Sequence, residues 1–149
     1  MTFKFASSAA AFALVLALPA TVLAQSMLTQ TASPHTHAET VQRLEKVIEA
    51  RGLTMVAKVD HAAAAAKAGM KLPPTVLLIF GNPKGGTPLM QAAPSMGIDL
   101  PMKALVWQEV GGKVQVAVNS TDFYERHGLK KEQLQPLGAV AGLVDAALK

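Results

Sequence analysis

The segment Gly81-Asn82-Pro83-Lys84-Gly85-Gly86-Thr87 has the residue types of a turn that holds an anion. Two adjacent glycines let backbone N–H groups converge, Lys84 supplies a cation and Asn82 an amide. Thr87 and Pro88 would then open a short helix whose positive end faces the ligand. The spacing approaches a G-x-x-x-x-G-K-[ST] loop, but the lysine that bears on the terminal phosphates is missing between Gly86 and Thr87. Nucleotide hydrolysis is therefore excluded. The expectation is a small anionic or polar ligand, or a partner, held by Asn82 and Lys84 side chains and by the Gly85, Gly86 and Thr87 backbone.

Three further sets bear on chemistry. Asp60-His61 and Asp99 are candidate ligand contacts, His61 because an imidazole can serve as acid, base or metal ligand. Neighbours on a helix do not face each other, so Asp60 reads first as a helix cap, and Asp99 as the anchor of a turn or a partner of Lys103. His127 at a helix end is accounted for by the dipole there. His35-x-His37, with Met27, Met55, Met70, Met90, Met96 and Met102, offers imidazole and thioether ligands of the kind copper or zinc takes. That is a competing reading, with His35 and His37 as its metal residues; no cofactor is expected otherwise. A third reading is an enzyme of unassigned reaction, in which Asp60, His61, Asn82, Lys84, Asp99 and His127 converge. No G-x-S-x-G or H-E-x-x-H motif supports it, and the chain has no cysteine to serve as a nucleophile.

These residues need elements to position them. Ser26–Ser33 alternates weakly, as a first strand. Thr36 and Glu39 form a capping box for a helix whose stripe is Val41, Leu44, Val47 and Ile48, closed by Gly52. Leu53, Met55, Ala57 and Val59 share one face of a strand, and Asp60 caps the alanine helix after it. "TVLLIFG" is a buried strand and "PLMQAA" a short helix. Two strands flank Gly111-Gly112 as a hairpin, with Trp107 as a core residue. A short helix capped by Ser120 or Thr121 leads to a last helix that buries Leu134, Leu137, Val140, Ala141, Val144 and Leu148. The pattern is a mixed α+β sandwich in one domain.

Residues 1–24 have Lys4, an apolar stretch from Ala9 to Leu18 and a small-residue "VLA" end, the layout of a secretory signal peptide. The expectation is a periplasmic or secreted protein made of residues 25–149. No later segment reaches the roughly 20 apolar residues of a membrane span. With Lys4 removed, 13 basic residues stand against 10 acids, a mild positive balance that would draw small anions. No basic cluster interleaves with aromatics, so nucleic acid is not an expected partner.

"IFGNPKGGTPLMQAAPSMGIDLPMKALVW", with "VDHAAAAAKAGMKLPPT" before it and "RHGL" after it, closely resembles the bacterial family called domain of unknown function 302. The likeness runs over nearly all of the mature chain. Its motifs are Asp60-His61, Phe80-Gly81-Asn82-Pro83, Gly86-Thr87-Pro88-Leu89, Asp99-Leu100-Pro101, Trp107 and the Asn119–His127 region. The resemblance implies a curved antiparallel sheet of four to five strands backed by helices, like the TATA-box-binding-protein repeat, and a homodimer. It implies no activity. Where relatives carry an aromatic before the asparagine and Asp-Pro after it, this chain has Val118 and Ser120-Thr121.

Overall fold

The computed structural model describes residues 27–149; the leader read from residues 1–24 lies outside them. The chain runs β1 (Leu28–Ser33), α1 (His37–Ala50), β2 (Thr54–Asp60), α2 (His61–Lys67), β3 (Thr75–Gly81), α3 (Pro83–Ala92), a 3₁₀ turn (Pro94–Ile98), β4 (Met102–Gln108) and β5 (Val114–Asn119). Helix α4 (Thr121–Tyr124), a second 3₁₀ turn (Glu125–His127) and α5 (Lys131–Leu148) complete it. The five strands form one sheet in the order β1-β5-β4-β3-β2, every neighbour antiparallel.

Alternation along β3 explains the layering. Val76, Leu78 and Phe80 are buried, whereas Leu77 and Ile79 are only partly so. The buried set meets Ala104, Val106, Val114, Val116 and Val118 of the sheet and Val41, Leu44, Ile48, Val140, Leu143, Val144 and Ala147 from α1 and α5. Each of these side chains removes on the order of 1.5–3 kcal/mol of apolar surface from water when large and fully covered. The Thr36–Glu39 capping box is present as expected. Behind it, fully buried Thr40 shares a 2.7 Å hydrogen bond with Ser33 and donates to Thr36 O at 2.8 Å. A second core, Leu89, Ala93, Met96, Tyr124, Leu134 and Leu137, joins α3, the first 3₁₀ turn and α4 to the start of α5.

Three local expectations are corrected. A bulge between Met55 and Ala57 changes the parity of β2, so Met55 lies opposite Phe80 while Ala57 and Val59 lie opposite Ile79 and Leu77 on the other face. Trp107 belongs to that other face and to neither core. On α5, Leu143 and Ala147 are buried in place of Ala141 and Leu148, because the helix faces α1 as well as the sheet.

Candidate functional site

The strand β3 delivers Gly81 to the head of α3, and there a groove of about 560 Å³ opens. Leu53, Val56, Met90, Leu100, Pro101, Met102 and Leu137 give it an apolar wall; Thr54, Asn82 and Thr87 bring the polar groups. Gly86 faces Leu100 closely enough that an added Cβ would sit 3.5 Å from its Cδ1, so a larger residue there would fill the groove.

The local structure differs from an open loop. Helix α3 begins at Pro83, not at Pro88, and its N-cap is Asn82, whose Oδ1 accepts from Lys84 N at 2.9 Å. Gly85 N and Gly86 N both donate to Asn82 O at 3.0 Å. Proline has no N–H to offer. The first turn of α3 therefore spends its amides internally, and Gly85 and Gly86 are not the free backbone donors that an anion-holding turn needs. The physical reason is that Asn82 and Pro83 make a better helix start than Thr87 and Pro88: the side chain caps, and proline takes the first helical position. Asn82, Gly85, Gly86 and Thr87 line the groove, whereas Lys84 is exposed and does not.

A second constellation centres on Asp99, next in the chain to Leu100 and Pro101 of the groove wall. Asp99 is 9% exposed. Its Oδ2 accepts from Arg126 Nε at 3.1 Å and from Arg126 Nη2, and from His127 Nε2 at 2.6 Å. The other ring nitrogen, Nδ1, is 2.8 Å from Ser95 Oγ. The His127 side chain is 6% exposed and that of Arg126 51%. Burial works to raise the Asp99 carboxyl, but the hydrogen bonds and positive charges of Arg126 and His127 outweigh it and hold it below the usual carboxylate range. Arg126 Cζ also lies 4.0 Å from the centre of the Phe123 ring. Buried Tyr124, edge-on to Phe123, has its phenol held above its ordinary value by burial and by Asp99, against the pull of a hydrogen bond with Asn119. Gly128, at φ +77°, ends the 3₁₀ turn that presents Arg126 and His127.

Lys103 Nζ donates to Asp99 O at 2.8 Å and Pro101 O at 2.9 Å, so its contact with Asp99 is to the backbone and not to the carboxylate. It ties down the Leu100–Pro101 stretch that forms one groove wall. Of the residues weighed for an enzyme, the structure brings together Asp99 and His127. Asp60 caps α2 through Ala63 N at 2.8 Å, and exposed His61 follows it; both stand apart from the groove lining and from the Asp99 cluster. His37 Nε2 is 3.2 Å from Val106 O. His35 Nε2 is buried without a partner, and among the described residues no three His, Cys, Asp or Glu side chains gather as a metal centre. Sequence reasoning missed Ser95 and Arg126; it explained His127 by its helix end and otherwise weighed it only as one of six residues of a converging enzyme site. Only "RHG", a charged pair before a glycine stop, marked the place.

A five-stranded antiparallel sheet with helices on one face, an apolar groove at one sheet end and a buried Asp99–His127 pair held by half-exposed Arg126 define a small α+β domain. Its sequence matches Domain of unknown function DUF302 over residues 29–148, and the chain belongs to that family. The fold is that of the uncharacterized conserved protein DUF302 from Bacillus stearothermophilus, with a TM-score of 0.71 at 19% identity over 83% of this chain and 97% of that one. The chain is also 42% identical over 112 residues to "Fluoride-specific ion channel FluC 1" of Brucella suis biovar 1 (strain 1330), covering 74% of this chain and 44% of the relative. The same identity holds for the protein of that name from Brucella abortus biovar 1 (strain 9-941), over 42% of its length. The chain thus spans less than half the length of these curated relatives. Among the described residues no helix is long and apolar enough to cross a membrane.

Proposed function

We propose that this domain is a binding module whose groove at the head of α3 takes a small molecule with an apolar body and a hydrogen-bonding end. The observation that carries the reading is the groove itself, about 560 Å³ walled by leucine, methionine, valine and proline, with Asn82, Thr54 and Thr87 as its polar groups. That combination of an apolar wall and a few polar contacts is what small-ligand sites share. The polar end would meet side chains, since the α3 amides are already bonded.

The probe is 1-anilinonaphthalene-8-sulfonate, which has an apolar body and one polar end. Its fluorescence rises on binding the parent protein. Val56, 58% exposed on the groove rim, is replaced in Val56→Glu, which puts a charge against the apolar wall without touching either core. Binding at least about tenfold weaker in the variant, a loss of about 1.4 kcal/mol, supports the groove. Equal binding by variant and parent removes it.

The other face of the sheet favours a homodimer within the same proposal. Val59, Leu77, Ile79, Leu105 and Trp107 are partly exposed there and belong to neither core. The charged side chain in these rows, Lys103, is folded back onto carbonyls. A neutral apolar face can meet its own copy across a two-fold axis without like-charge repulsion. Export after removal of residues 1–24 completes the reading, and N-terminal sequencing of the mature protein checks it. In the relatives called fluoride channels, we read the shared part as an accessory domain, with conduction lying in the rest of their length.

A further inference from the structure

Ser95, His127 and Asp99 form one hydrogen-bonded line: Ser95 Oγ to His127 Nδ1 at 2.8 Å, and His127 Nε2 to Asp99 Oδ2 at 2.6 Å. The carboxylate is acceptor-only when ionised, and two Arg126 donors on the same oxygen favour that form. His127 Nε2 must then carry a proton. In the neutral ring this leaves a lone pair on Nδ1, so the Ser95 hydroxyl is the donor in the third bond. The imidazole is buried, Asp99 is buried, and Ser95 is exposed at the second residue of its 3₁₀ turn. The line thus runs from an orienting acid through a base to a hydroxyl that faces solvent. A nucleophile activated by a base that is oriented in turn by a carboxylate follows the same logic, recognised by roles rather than by chain order. The two ring nitrogens have exchanged places relative to the serine-protease arrangement, which leaves the proton bookkeeping unchanged.

We propose that Ser95 is a nucleophile for acyl transfer from small activated esters, with His127 as its general base and Asp99 as the positioning residue. Ser95 Oγ forms a bond to the ester carbonyl carbon while its proton passes to His127 Nδ1. The bond from that carbon to the leaving oxygen then breaks, and the leaving alkoxide takes the proton from His127. The product is an ester on Ser95. Water then bonds its carbonyl carbon while giving a proton to His127 Nδ1. The bond to Ser95 Oγ breaks, and Oγ takes that proton as the free acid leaves. Arg126 holds Asp99 through Nε and Nη2 and places a half-exposed positive charge beside the line. No groove-lining residue belongs to this set, so the proposal stands or falls apart from ligand binding.

The full chain without its leader is incubated with p-nitrophenyl acetate. Released p-nitrophenolate is followed by absorbance, and the protein by intact mass and peptide mapping. One acetyl group per chain, mapped to Ser95, is the expected result, and Ser95→Ala, an exposed change, abolishes it. Ser95→Cys restores acylation as a thioester. His127→Gln slows acetylation of Ser95 by roughly 10²-fold, the scale of a positioned general base. Acetyl groups confined to lysines or the amino terminus overturn the proposal, and so does an unchanged Ser95→Ala burst.

Discussion

Replacing Asp99 with alanine tests how much the cluster holds the fold together. The substitution leaves His127 Nε2 and two Arg126 donors without their acceptor, while the Lys103 bonds go to backbone carbonyls and survive. The His127 contact is sequestered, with side chains 6% and 12% exposed, and a hydrogen bond to a charged acceptor there contributes about 1.5–3 kcal/mol. Arg126 is half exposed, so its pair contributes at most about 1 kcal/mol. Together the loss is about 2–4 kcal/mol, a fall of roughly 10 °C in melting temperature for a domain of this size. Urea unfolding monitored by Trp107 fluorescence measures it at pH 7 and again at descending pH. Because the folded-state pKa of Asp99 lies below its ordinary 3.8, its contribution is full above that value and is lost as pH falls through the folded pKa. The gap between parent and Asp99→Ala therefore stays constant through neutral pH and closes in the acid range below about 4. A gap under about 0.5 kcal/mol at pH 7 refutes the reasoning, as the median surface pair is worth no more. So does a gap that closes near neutral pH.

Other outcomes follow from single features. Gly85 lies within the first turn of α3 without a positive φ and with open space where a Cβ would go, so Gly85→Ala raises stability by about 0.4–1 kcal/mol; a loss would show that the segment is a turn after all. Asn82→Ala removes the α3 cap and costs about 1 kcal/mol in thermal unfolding, whereas Asn82→Asp retains the acceptor and the stability. In sedimentation equilibrium, Leu105→Lys yields a monomer where the parent sediments as a dimer, and a parent already monomeric ends the two-fold reading of the outer face.

Short-range features were legible from residue types. Thr36-x-x-Glu39 announced the start of α1 and Asp60 that of α2, because a cap closes on an amide three residues away. The alternation in β3 announced a strand with one fully covered face. Misreadings came where two local rules competed. Asn82-Pro83 and Thr87-Pro88 are both acceptable helix starts, and the earlier pair prevails since it leaves Gly85 and Gly86 inside a bonded turn. Ideal period-two alternation placed Met55 with Ala57 and Val59, and one bulge moved it to the opposite face.

By itself, then, the sequence determined the single α+β domain, its family, the order of most elements and the position of Gly81–Thr87 between a strand and a helix. Tertiary structure alone decided that the same segment borders an apolar groove, since Val56 and Leu137 reach it from β2 and α5. It also decided that Asp99 meets Arg126 and His127 rather than the Lys103 ammonium, and that Ser95 completes a line with His127 across 32 residues of chain. Caps and strand alternation are set by neighbours along the backbone and leave a pattern in residue types. Partners brought together by the packing of the first 3₁₀ turn and α4 on a common core leave none.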